Sequence, residues 1–152
     1  MRQSKNFTLE ANILDPVNRR RGYGAVVVRD GMVEKLEITG PEKDNTPYLM
    51  PGFMDAHIHI ESSMLTPPAF ARLAVRHGTV ATVSDPHEIA NVCGIEGVRY
   101  MAKLGKASEF KFFFGAPSCV PATGFETAGA TLTVEEIIQL FEEKSTCYLS
   151  EM

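Results

Sequence analysis

Tryptophan is absent from this 152-residue chain, cysteine is scarce, and basic residues show no excess. Each shortage excludes something. The three cysteines, Cys93, Cys119 and Cys147, are odd in number and form no Cys-x-x-Cys pair. Neither a disulfide framework nor a thiolate zinc site is therefore expected, and buried free thiols are the plain expectation. Lysine and arginine total 15 against 19 aspartates and glutamates, a net charge of -4. Such a balance cannot displace counterions from a phosphate backbone, so nucleic acid is not expected as a partner. No apolar run approaches the roughly 20 residues of a bilayer span, and the opening Met1-Arg2-Gln3-Ser4-Lys5-Asn6 lacks the apolar stretch of a signal peptide. The expectation is a cytoplasmic chain with no membrane partner. What is present, 44% apolar and 22% charged residues, is ordinary for a folded domain.

Two regions differ in pattern. Residues 1–47 read as a small β domain: apolar and polar residues alternate from Phe7 to Ile13, and Val26-Val27-Val28 and Met32-Val33 flank Asp30-Gly31. Asp-Gly between apolar runs signals a tight hairpin. Arg19-Arg20-Arg21 interrupts the unit and reads as a solvated loop, and residues 41–47 read as a linker. From residue 48 onward, short apolar runs alternate with amphipathic helices, the signature of βα units on a parallel sheet. Strands are predicted over 49–56, 79–84, 110–114 and 147–151. The first helix starts with Thr66 as N-cap and Pro67 at its first position, shares Phe70, Leu73, Ala74 and His77 on one face, and stops at Gly78. The second spans about 91–104 and buries Ile95, Val98, Met101 and Ala102. The third opens on a capping box between Thr133 and Glu136 and buries Ile137, Ile138 and Phe141. The fold class is α/β: a small N-terminal β unit, then over 48–152 the first half, about four βα units, of a (β/α)8 TIM-type barrel. A complete barrel needs about 250 residues, so a truncated barrel is expected.

Ionisable residues gather where such a fold places its chemistry, at the C-terminal ends of strands. His57-Ile58-His59 ends the first. Residues two apart on a strand point the same way, so both imidazoles can reach one divalent ion; paired histidines on a strand are also common without a metal. Asp85-Pro86-His87-Glu88 follows the second strand, either as a site for proton transfer or as a capping aspartate in a solvated loop. Glu61 and Ser62 either support the histidines by hydrogen bonds or form a polar turn. Glu151 ends the fourth strand, as an inward carboxylate or an exposed charge. His77, in a last helical turn, reads as a satisfied core histidine or one facing the helix dipole. The loop from 115 to 132 is longer than the usual connection of about 4–6 residues, and its Phe125 either touches substrate or packs beneath the loop.

Residues 50–67, 84–92 and 121–126 together resemble the bacterial adenine deaminases, members of the metal-dependent amidohydrolase superfamily. The opening Pro51-Gly52 with Asp55, His57 and His59 marks the superfamily; residues 60–63 and 85–91 are similar to the deaminases in particular. The resemblance implies a (β/α)8 barrel holding two divalent ions, manganese or iron, with His57, His59 and Glu151 as ligands and Glu151 bridging. It implies hydrolytic removal of ammonia from C6 of adenine, a step of purine metabolism. An ion that lowers the pKa of its bound water supplies hydroxide, while Glu88, His87 and Asp85 are the candidates for moving protons or reading the purine edge. Further ligands of the family, from later strands, have no counterpart here.

Two other readings stand beside this one. Another cyclic-amide amidohydrolase, dihydroorotase-like or hydantoinase-like, would share the histidine pair but use a modified lysine where Glu151 stands. A non-catalytic half barrel would serve as an assembly piece. Open edges of a parallel sheet invite pairing, so a homo-oligomer is expected.

Overall fold

The computed structural model describes residues 5–151, and the chain divides into two compact units, Met1–Pro51 and Gly52–Met152. The first is a four-stranded sheet in the order β3-β2-β1-β4, built from β1 (Phe7–Asp15), β2 (Arg20–Arg29), β3 (Met32–Gly40) and β4 (Tyr48–Leu49). β1, β2 and β3 are antiparallel, and β4 lies parallel to β1. Asp30 and Gly31 form the two-residue hairpin between Arg29 and Met32, with φ of 50° and 79°. Positive φ at both central residues gives the reverse turn whose twist matches the strands, and Gly31 adopts it without steric cost.

The arginine run behaves differently from its expected loop. Only Arg19 lies in the turn; Arg20 and Arg21 belong to β2, opposite Asp15 and Leu14. Arg20 donates to Asp15 at 2.8 Å. That guanidinium, with help from Asn18, holds the Asp15 carboxyl down at about 2. The expected linker is also fastened. Buried Asn12 donates through Nδ2 to the carbonyls of Lys43 and Thr46 and accepts the Lys43 N–H, so the loop before β4 closes over β1. Ile13, Val26 and Val28 form the core of this unit, with Ile38 and Leu49 packed against them.

The second unit is mixed α/β, a curled, half-barrel sheet of parallel strands in the order β5-β6-β7-β8 with helices between them. In chain order these are β5 (Phe53–Ile58), α1 (Pro67–Ala74), β6 (Thr79–Ser84), α2 (His87–Lys106), β7 (Lys111–Ala116), α3 (Val134–Glu142) and β8 (Tyr148–Leu149). Three strand-helix pairs and a fourth strand are therefore present among the described residues. The predicted first strand splits: Tyr48 and Leu49 pair with β1, and β5 begins only after Pro51, which has no N–H to give a ladder.

α1 starts as predicted, with Thr66 as N-cap and Pro67 in the first turn, and its last turn tightens to a 3-10 turn stopped by left-handed Gly78. It buries Pro67 and Ala71, whereas Leu73 is half exposed and His77 lies in solvent in the last turn, where the dipole-facing alternative put it and the core one did not. α2 begins four residues before its predicted start and carries His87 and Glu88 in its first turn, so these two are helical and not part of a loop. Pro86 at the N-cap removes an N–H that a helix start leaves unpaired in any case. A kink at Gly94, φ 62°, then divides α2. Val98, Met101 and Ala102 are buried as predicted. In α3 the capping box is complete: Glu136 N–H donates to Thr133 Oγ1 at 3.2 Å and Thr133 N–H to Glu136 Oε2 at 2.8 Å. Its buried residue is Leu140, while Ile138 and Phe141, predicted to be inside, are exposed.

Two clusters make the core of this unit. Ile60, Met101, Ala102 and Phe114 form one; Ala90, Val98, Ala116, Val120, Leu132 and Leu140 form the other. Val120 and Leu132 come from the long loop, which is anchored by the Leu132 N–H on the Val120 carbonyl and by Gly129 and Ala130 on the Asn91 carbonyl. The cysteines are free but not buried as expected: Cys93 and Cys147 are exposed and Cys119 is intermediate, because neither the outer face of α2 nor the approach to β8 is covered in this unit. Among the described residues no helix is long and apolar enough to cross a membrane.

Candidate metal centre

The predicted residues converge at the C-terminal ends of β5, β6 and β8. His57 lies in β5 and His59 just beyond it, and their alternate positions turn both rings to one side. The Nε2 atoms stand 3.1 Å apart, with the rings edge to face. Glu151, two residues past β8, completes the triangle: Oε2 is 3.2 Å from His57 Nε2 and Oε1 is 3.4 Å from His59 Nε2. Ligand atoms about 2.0–2.2 Å from one ion lie about 3.0–3.4 Å from one another, and these edges match.

A second group shares Glu151. Ligand atoms of Asp85, His87 and Glu151 all lie within 4.8 Å of one another. Asp85 is 1% exposed. Both of its carboxylate oxygens, and Nδ1 of His87 at 4.0 Å, are buried without a well-aligned hydrogen bond among the described residues. Burial pushes the Asp85 carboxyl above its ordinary range, although the Ser150 hydroxyl stands by to pull it down. An unpaired buried carboxylate is expensive unless a proton or a cation compensates it, so this donor set, nitrogen and carboxylate oxygen with orphaned buried atoms, fits a divalent cation.

The surrounding residues orient the donors. Glu88 Oε2 is 2.9 Å from His59 Nδ1, a close contact without hydrogen-bond alignment, while His59 Nε2 faces His57 and Glu151. Glu61 accepts the Ile89 N–H at 3.2 Å, which ties the turn after His59 to the first turn of α2. Desolvation pushes the Glu61 carboxyl up. Ser62 is exposed, and its contribution to the histidine is through the backbone, its N–H donating to the His59 carbonyl at 3.2 Å.

Asp55 and Ser118 escaped the sequence reading. Asp55 Oδ1 accepts the His57 N–H at 3.1 Å, and Ser118 Oγ donates to the Glu151 carbonyl at 3.2 Å. Asp55 stood in the motif beside the histidines and could have been found there; Ser118 comes from the long loop, and no spacing announces it. Phe125 is fully exposed and does not pack beneath that loop.

The sequence model of the amidohydrolase family matches residues 48–151. Among curated proteins the chain is similar to an adenine deaminase of Parabacteroides distasonis, 47% identical over 152 residues that make up 100% of this chain and 28% of the relative. An adenine deaminase of Sulfurovum sp. is 62% identical over 123 residues, 79% of this chain and 23% of the relative. One from Methanosarcina mazei is 50% identical over 140 residues, 92% and 25% of the two chains. The chain thus spans about a quarter of the length of these relatives.

Proposed function

The chain belongs to the amidohydrolase family, and from that premise we propose that it carries the first part of a metal-dependent adenine deaminase, which hydrolyses adenine to hypoxanthine and ammonia. The observation that carries this reading is the triangle of His57, His59 and Glu151, joined to relatives named adenine deaminase. In this reading residues 1–47 are a small β domain and residues 48–152 the first half of the barrel. His57, His59 and Glu151 would hold a divalent cation, and Glu151, common to both donor groups, would be shared with a second; manganese or iron would suit nitrogen and carboxylate donors of this kind. When bound, the cation supplies the Lewis acidity that makes hydroxide available near neutral pH.

This chain's own residues then handle orientation and protons. Glu88, 2.9 Å from His59 Nδ1, is the carboxylate placed to orient that ring. Deamination requires a proton at the ring nitrogen beside C6 and another on the departing amine, so ionisable groups must stand within hydrogen-bond reach of both. Asp85, His87 and Glu88 are the groups at the mouth of β6 for this work. Asp85 is buried and half-exposed Glu88 is open to a substrate. Glu61 and Ser62 hold the turn behind His59. Glu151 also speaks against a dihydroorotase-like reading, because a carboxylate occupies the place of the modified lysine. A homo-oligomer is the assembly this reading expects, with adenine as the small-molecule partner.

The test is adenine-dependent ammonia release from the full protein after reconstitution with manganese or ferrous ion. Release is expected to fall to background in His57→Ala. Release that survives the substitution overturns the ligand assignment, and hydrolysis of a cyclic amide in place of adenine overturns the substrate.

A further inference from the structure

One peptide unit in the second unit has an unusual set of partners. It joins Ser84, the last residue of β6, to Asp85, and both residues are buried, at 0% and 1% exposure. Its N–H, on Asp85, donates to the Ile58 carbonyl at 3.0 Å. Ile58 sits between His57 and His59. Its C=O, on Ser84, accepts the hydroxyl of Tyr148 at 3.0 Å. Tyr148 opens β8, three residues before Glu151.

That last bond skips a strand. In the sheet order β5-β6-β7-β8, Tyr148 pairs with Gly115 of β7, yet its hydroxyl ends on β6. Neighbouring strands lie about 4.8 Å apart, so the tyrosine ring must cross over β7 to arrive there. Gly115 permits the crossing. A Cβ at that position would stand 2.7 Å from a Tyr148 ring carbon and would collide with the Ser150 hydroxyl. A glycine inside a strand marks the close approach of another group, and here the groups are the Ser150 hydroxyl and the phenol.

We propose that Tyr148 is a positioning residue for the metal centre. Its hydroxyl, laid over Gly115, clamps the Ser84–Asp85 peptide between β8 and the His57-Ile58-His59 segment, and so fixes the distance from Glu151 to the histidines and the placement of Asp85. The proposal rests on the reading that these residues hold a divalent cation. A peptide bonded at both its N–H and its C=O is polarised in each direction, which strengthens both bonds. The backbone ties β8 to β7 alone: its two paired residues are extended by the Cys147 N–H on the Phe114 carbonyl and the Ser150 N–H on the Ala116 carbonyl, and the Tyr148 hydroxyl adds a bond from β8 to β6.

Tyr148→Phe keeps the ring and deletes the bond, and is the specific test; Gly115→Ala keeps the Tyr148 hydroxyl but crowds both the ring and the Ser150 hydroxyl. The readouts on the intact chain are the Mn2+ dissociation constant, from the free-ion electron paramagnetic resonance signal, and hydrogen exchange at the Asp85 amide. Both variants are expected to weaken Mn2+ binding roughly tenfold, the usual effect of removing a group that orients ligands, and to speed exchange at Asp85. A Tyr148→Phe protein with wild-type Mn2+ affinity and wild-type Asp85 exchange overturns the proposal, and so does a lowered melting temperature with both readouts unchanged. If the wild-type chain binds no Mn2+, the metal reading fails, and Asp85 exchange alone then decides whether the clamp exists.

Discussion

Asp85 concentrates the electrostatic tension of the second unit. Its two carboxylate oxygens are buried, and burial raises its pKa above the ordinary 3.8 against the opposing pull of the Ser150 hydroxyl and the His87 ring. Glu61 is shifted the same way from 4.5, again by desolvation. A carboxyl with a raised folded-state pKa binds more protons in the folded protein than in the unfolded chain. Its contribution to stability is therefore present at low pH and lost as pH rises from the unfolded value through the folded one. Asp15 in the first unit has the opposite sign. Its pKa of about 2 gives stability above the unfolded value that is lost only as pH falls toward 2. In chelator, the urea midpoint of the second unit is accordingly expected to rise as pH falls toward the unfolded carboxyl values of 3.8 and 4.5. Asp85→Asn should flatten that slope, and an unchanged slope would remove Asp85 as its cause. Added Mn2+ should lift the midpoint most at neutral pH, where the carboxylate is ionised.

At the level of elements, what was legible in the sequence was whatever local chemistry decides. The Asp30-Gly31 hairpin, the Pro67 start, the Gly78 stop and the Thr133/Glu136 capping box depend on a few neighbouring residues and appear where expected. Replacing Thr133 with Ala removes the acceptor for the Glu136 N–H, and loss of such a cap costs about 1 kcal/mol. Chemical denaturation should show that loss, with Thr133→Ser retaining most of the stability; an unchanged midpoint would mean that packing of Leu140 alone holds α3. Burial was less legible, because it depends on which neighbour covers a face. α3 turns Leu140 inward and leaves Ile138 and Phe141 outside, and α1 exposes His77. The start of α2 is hidden in the sequence because Asp85-Pro86 has the composition of a loop, although proline suits the first positions of a helix equally well. Within the site, alternation along a strand was enough to pair His57 with His59. The contacts of Tyr148, Ser118 and Ile89 join segments far apart in sequence, and no spacing encodes them.

At the scale of the whole chain, two units each have their own core: Ile13, Val26 and Val28 in the first, and the two clusters around β7 in the second. The change at residue 48 from hairpin alternation to strands separated by helices was enough to read the second as part of a parallel barrel, and the family match covers that region. The proposed ligands, His57, His59 and Glu151, come from the first and last strands of the half-barrel sheet, so the centre depends on the sheet curling enough to bring its two ends together. Ion binding therefore reports on the fold and the site at once. The most direct measurement is Mn2+ titration of the intact, folded chain beside His57→Ala and Glu151→Gln. Saturable binding that either substitution weakens by at least about tenfold is the predicted result; equal binding by all three proteins would contradict the account.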